Sequence, residues 1–139
     1  MSRGLGDVYK RQGIVYQLIA RFLKDAKSKV EVNDNRIQKV LSHIRKNIYK
    51  TVDIDSLAAI SCLSKDHFIR LFKKEVGTTP LQYINQKKIE KAQLILITED
   101  IPVKNIAYLL AYEDHSYFNR LFKKITDVTP QQYRELYKK

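Results

Sequence analysis

Residues 68–83 recur as residues 118–133, fifty positions later and without a gap. Ten of the sixteen positions are identical: Phe68/Phe118, Arg70/Arg120, Leu71/Leu121, Phe72/Phe122, Lys73/Lys123, Lys74/Lys124, Thr79/Thr129, Pro80/Pro130, Gln82/Gln132 and Tyr83/Tyr133. A repeat of this length is one supersecondary unit used twice, so the fold has to present two equivalent elements. Each copy is amphipathic at helical spacing, with Phe68, Leu71 and Phe72, or Phe118, Leu121 and Phe122, on one face. Aromatic residues so spaced read as core. The other face carries an Arg and a Lys pair, and a Thr-Pro-x-Gln helix start follows. Two basic helices in register suggest two insertions into one long anionic partner.

The charge balance agrees. Lys and Arg number 26 against 15 Asp and Glu, a net charge of +11. Before residue 37 there are 8 basic and 4 acidic residues, and from there on 18 and 11, so the excess is spread along the chain. Such a balance favours nucleic acid or an anionic membrane surface. The single cysteine, Cys62, excludes an internal disulfide and a Cys-only metal site, as in a reducing compartment. No apolar run approaches the ~20 residues that span a bilayer, and the start lacks a secretory signal. The expected location is the cytoplasm.

Catalysis finds little support. His43, His67 and His115 are scattered, no metal-ligand spacing joins them to Cys62, and the acids Glu113 and Asp114 fall in a turn. No cofactor is expected.

Taken in order, residues 1–12 lack periodicity and read as an assembly scar, because 7–12 looks like translated adapter sequence. Over 14–29, Ile14, Val15, Leu18, Ile19, Phe22 and Leu23 mark an amphipathic helix, and a polar linker runs to residue 35. A helix over about 36–47 turns Ile37, Val40, Leu41 and Ile44 inward, capped by Asn33 or Asp34. Asp53 caps a short helix over 54–61, and Ser64 caps a second over 65–76 that ends at Gly77. Two short helices across a tight turn form a helix-turn-helix over 53–77. A linker helix over 79–98 follows, spanning about 27 Å for roughly 18 residues. A second helix-turn-helix over 103–127 repeats the first, with Ile106-Ala107 in the place of Leu57-Ala58 but one residue out of register. The expectation is an all-α fold of two helix-turn-helix subdomains joined by that helix.

The motifs Leu57-Ala58, the run from Ser64 to Lys74, Gly77-Thr78-Thr79-Pro80, Ile106-Ala107, the run from Ser116 to Lys124 and Thr129-Pro130-Gln131-Gln132-Tyr133-Arg134 carry a resemblance. Together they resemble the C-terminal DNA-binding domain of AraC/XylS-type transcription regulators, whose units are homeodomain-like. The resemblance covers roughly residues 37–137, within a DNA-binding domain taken as 36–139, and implies an upstream sensor or dimerisation domain, with 13–35 as its remnant. It implies double-stranded DNA as partner, no membrane, a homodimer through the upstream domain, and activation by recruiting RNA polymerase. Two positions depart from the family pattern: Ala111 and Asp127 stand where Gly is usual.

Family resemblance maps base reading onto Lys65, Asp66, Ile69 and Arg70, and onto His115, Ser116, Asn119 and Arg120. Lys73, Lys74, Lys123 and Lys124 are the phosphate-contact candidates. In the major groove Arg can clamp guanine, Asn adenine, Asp can accept from cytosine, and Ile can meet a thymine methyl. The alternative is a helical adaptor or a sequence-indifferent nucleic-acid binder.

Overall fold

The computed structural model describes residues 31–138. The scar expected over 1–12 and the amphipathic helix expected over 14–29 lie outside these residues. Among the described residues the chain is helical with no strand: α1 (Asn35–Lys46), α2 (Ile54–Ile60), α3 (Lys65–Val76), α4 (Pro80–Thr98), α5 (Val103–Leu109), α6 (His115–Thr126) and α7 (Pro130–Tyr137).

Helix starts follow from short polar side chains that satisfy otherwise orphaned N–H groups. Asp34 accepts from Arg36 N at 2.9 Å, Asp53 from Asp55 N at 3.2 Å, Ser64 from His67 N at 3.4 Å and Asp114 from Ser116 N at 2.8 Å. At Thr79 and Thr129 the capping box closes in both directions. Gln82 N donates to Thr79 Oγ1 at 3.3 Å and Thr79 N to Gln82 Oε1 at 3.2 Å; the Thr129 and Gln132 pair repeats this at 3.1 and 2.9 Å. Proline at the first helical position gives up an N–H that had no partner there.

The repeat is visible in the cores. Phe72 lies edge-on to Phe68 and Tyr83, with centroids 5.8 and 5.6 Å apart. Phe122 packs in the same places against Phe118, with tilted rings, and edge-on against Tyr133, at 6.0 and 5.5 Å. All four phenylalanines are fully buried, each burial contributing roughly 1.5–3 kcal/mol. One cluster joins Ile37, Val40, Ile44, Leu57, Ala58, Phe68, Phe72 and Ile84. The other runs from Ile89, Ala92 and Leu96 on α4 to Ile106, Leu110, Phe118, Phe122 and Tyr133. Helix α4 therefore belongs to both units, its first turns to one and the rest to the other.

A lysine interrupts the buried stripe of α4. Pro80, Ile84, Lys88, Ala92 and Leu96 are buried at four-residue steps, and Lys88 Nζ donates to the Lys50 carbonyl at 2.9 Å and the Leu110 carbonyl at 2.5 Å. Leu94 lies off this stripe and is 50% exposed. The end of α4 is held by Arg134 of α7, which donates to the carbonyls of Leu96, Glu99 and Ile101 at 3.1, 3.3 and 2.6 Å.

Candidate nucleic-acid interface

Each helix-turn-helix is closed by the same backbone device. After α2, Leu63 N donates to the Ala58 carbonyl at 3.1 Å and Cys62 N to the Ala59 carbonyl at 3.0 Å. After α5, Tyr112 N donates to the Ala107 carbonyl and Ala111 N to the Tyr108 carbonyl, both at 2.9 Å. This is the Schellman pairing, which needs a left-handed residue at its apex. Cys62 (φ 57°) and Ala111 (φ 64°) occupy those positions, where glycine is the unstrained choice. From apex to reader the second turn holds one residue more, since α3 starts at Lys65 and α6 at His115. That extra residue explains why Ile106-Ala107 matches Leu57-Ala58 at a different offset from the readers.

Helices α3 and α6 put Phe68 and Phe72, and Phe118 and Phe122, into the cores and leave their polar faces outward. Lys65, Asp66, Arg70, Lys73 and Lys74 are exposed on α3; Ser116, Arg120, Lys123 and Lys124 are exposed on α6, and His115 is half-buried. None of Arg70, Lys73, Lys74, Arg120, Lys123 and Lys124 forms an ion pair with another described residue. Lys65 does: its Nζ lies 3.5 Å from Asp55 across the turn. Both partners are largely solvated, so the pair is worth roughly 0–1 kcal/mol and is easily given up.

Two expected readers sit lower than the rest. Ile69 is half-buried and packs against the first core. Asn119, its repeat partner, is half-buried too, and its Oδ1 is enclosed with no hydrogen-bond partner. A buried unpaired acceptor costs about 1–3 kcal/mol, so this amide has something to gain from a new partner. Two exposed side chains on the readers were not among the expected contacts: His67 on α3 and Tyr117 on α6, 43% exposed with its ring 6.2 Å from Tyr112. They are equivalent positions of the repeat, one residue before Phe68 and Phe118, and that register is the signal that could have found them.

The fold and this surface define the class: a protein with two tandem helix-turn-helix units sharing a central helix, each turned outward with a basic reading helix. The family model that matches is described as a helix-turn-helix domain and covers residues 57–136. The chain belongs to the AraC/XylS-type family of transcription regulators. It is 34% identical over 94 residues to the MmsAB operon regulatory protein of Pseudomonas aeruginosa, covering 68% of this chain and 31% of that protein. It is 30% identical over 102 residues to the Arabinose operon regulatory protein of Escherichia coli, covering 73% of this chain and 35% of that one. The chain thus spans about a third of the length of these relatives. In fold it is similar to the DNA-binding domain of AdpA, a global transcriptional factor solved in complex with a target DNA. The TM-score is 0.71 at 24% identity, over 75% of this chain and 94% of that one.

Proposed function

We propose that the chain is a sequence-specific double-stranded DNA-binding transcription regulator that inserts α3 and α6 into successive major grooves of one duplex. The observation that carries this reading is a constant frame with two different faces. The cores, capping boxes, turn bonds and Lys pairs repeat, while Lys65, Asp66 and Ile69 give way to His115, Ser116 and Asn119. A sequence-indifferent binder has no use for that difference; a reader of two distinct half-sites does.

In this reading Lys65, Asp66, Ile69 and Arg70 meet base edges in one groove, and His115, Ser116, Asn119 and Arg120 in the next. Lys73, Lys74, Lys123 and Lys124 meet phosphate. Early residues of a helix in the major groove reach bases and later ones the backbone. Clamping adenine takes both amide atoms of Asn119. Because Oδ1 is enclosed in the free protein, a side-chain rotation accompanies binding. Asp66 and Asp114 lie at helix N-termini, where a carboxylate is favourable; the Asp114 carboxylate already caps Ser116 N and Tyr117 N, and Asp66 is the one to accept from cytosine. Activation through RNA polymerase, pairing of two copies through another part of the protein, and a cytoplasmic location complete the reading, supported by the family alone. No described helix is long and apolar enough to cross a membrane.

Selection from a random duplex library, then titration of the winner, tests this. A preferred site bound at least about a thousandfold tighter than random duplex supports it; equal affinities leave the sequence-indifferent binder. Asn119→Ala with Arg120→Ala should cost about 2–6 kcal/mol on the selected site and relax its second half, since each base clamp is worth roughly 1–3 kcal/mol. With about six phosphate contacts, affinity should fall roughly a thousandfold between about 50 and 200 mM salt.

A further inference from the structure

Lys88 lies at the seam between the two units. The first core ends on α4 with Ile84 and the second begins with Ile89, and the two clusters share no residue. Apolar packing on a common helix holds each unit but leaves the angle between them to the stiffness of that helix. Apolar contact is non-directional. Hydrogen bonds are directional, and Lys88 supplies them to both sides.

Its Nζ donates to the Lys50 carbonyl, in the segment after α1, and to the Leu110 carbonyl, at the C-terminal end of α5 inside the second helix-turn-helix. The ring of Tyr112 lies 5.5 Å from the ammonium, and the Tyr112 hydroxyl donates to Asn85 Oδ1 of α4 at 2.9 Å. The Leu110 carbonyl is at a helix C-terminus, where partial negative charge favours a cation, and the Lys50 carbonyl is the acceptor from the other unit. Lys88 is only 4% exposed, and lysine is almost never so buried unless paired. Fifty residues later Lys138 reaches the Glu99 carbonyl at 2.6 Å and the Asp100 carboxylate, both at the end of its own unit. Only the Lys88 copy spans two units.

We propose that Lys88 is a positioning residue whose ammonium braces the two helix-turn-helix units and sets the spacing at which α3 and α6 engage DNA. The inference rests on the DNA-binding reading for its consequence, though not for the brace itself. Two tethered readers gain from each other only if their geometry matches the spacing of their sites. One base pair displaces the second groove by about 3.4 Å, so a rigid brace makes a narrow spacing optimum.

Two readouts on Lys88→Met, which keeps the chain length and removes the ammonium, test this. The first needs no DNA: spin labels on cysteines placed at Lys74 and Lys124, in a Cys62→Ser background, report the distance between the readers. The expected result is one narrow distribution that broadens in Lys88→Met; an unchanged width overturns the brace. The second measures affinity for duplexes whose two half-sites are shifted by one base pair either way. In the unsubstituted protein each shift should cost about tenfold. In Lys88→Met the optimal duplex should bind about tenfold more weakly, a shift should cost less than about threefold, and an isolated half-site should bind as before. A spacing profile that keeps its shape overturns the proposal, while loss of any preferred site in the unsubstituted protein overturns the DNA-binding reading instead. Should Lys88→Met not fold, Lys88→Gln, which removes the charge and keeps a hydrogen-bond donor, takes its place in both readouts.

Discussion

Replacing Ala111 by glycine should stabilise this protein, although it removes a methyl group and adds backbone freedom. Ala111 holds φ 64° at the apex of the second helix-turn-helix. A left-handed L-residue costs roughly 1–2 kcal/mol, and glycine avoids that cost. Against it stands the larger entropy of glycine in the unfolded chain, about 0.4–1 kcal/mol. The apex N–H still donates to the Tyr108 carbonyl at 2.9 Å, and Ala111 is only half-buried, so little else is lost. The net gain is about 0.5–1 kcal/mol, or a rise in Tm of roughly 2–5 °C for a domain of this size. The mirror substitution is Gly77→Ala, at φ 94° with nothing within 4 Å of the added Cβ. It should lower stability by a similar net amount, the strain outweighing the freedom that alanine removes from the unfolded chain. Paired urea denaturation curves with unchanged slopes decide it. If Ala111→Gly is neutral or destabilising while Gly77→Ala is tolerated, left-handed strain is not what distinguishes these turns and the reasoning fails.

Other substitutions probe the frame. Arg134→Met removes three donors from the carbonyls that end α4 and should cost about 2–3 kcal/mol, with faster amide exchange confined to the α4–α5 junction. Phe68→Ala or Phe118→Ala empties the centre of one core and should cost about 3–5 kcal/mol in chemical denaturation. At Asp34 the hydrogen bond from the Arg36 side chain holds the carboxyl down at about 2. Its folded value lies below the unfolded one, so its contribution is present at neutral pH and lost as pH falls through that window, between about 4 and 2. A carbon-detected NMR titration should find the Asp34 midpoint near 2, and Arg36→Ala should return it towards the ordinary carboxylate range.

Much of this architecture is legible in the chain because local chemistry and tertiary packing agree. Ser64 with Gly77 delimits α3, and Asp114 with Asp127 delimits α6, at the residues their capping preferences indicate. The capping boxes at Thr79 and Thr129 form as their spacing implies. What sequence reasoning missed depends on the third dimension. The left-handed state of Cys62 is imposed by closure of the turn, since cysteine has no preference for it. Lys88 reads as one of many surface lysines unless its place four residues from both Ile84 and Ala92 is noticed. The partners of Arg134 lie more than thirty residues away. Ile69 and Asn119 were expected on an open face, but their position along the helix turns them partly into the cores. Side-chain type marks a reader; helical phase decides how far it stands out.

The central claim is that one chain reads two consecutive major grooves. Methylation-interference footprinting on the selected duplex tests it most directly, because guanine N7 lies in the major groove. The prediction is two clusters of interfering positions centred about 10 to 10.5 base pairs apart, with only the second lost when Asn119 and Arg120 are replaced by alanine. A single cluster, or two that respond together to that replacement, would contradict it.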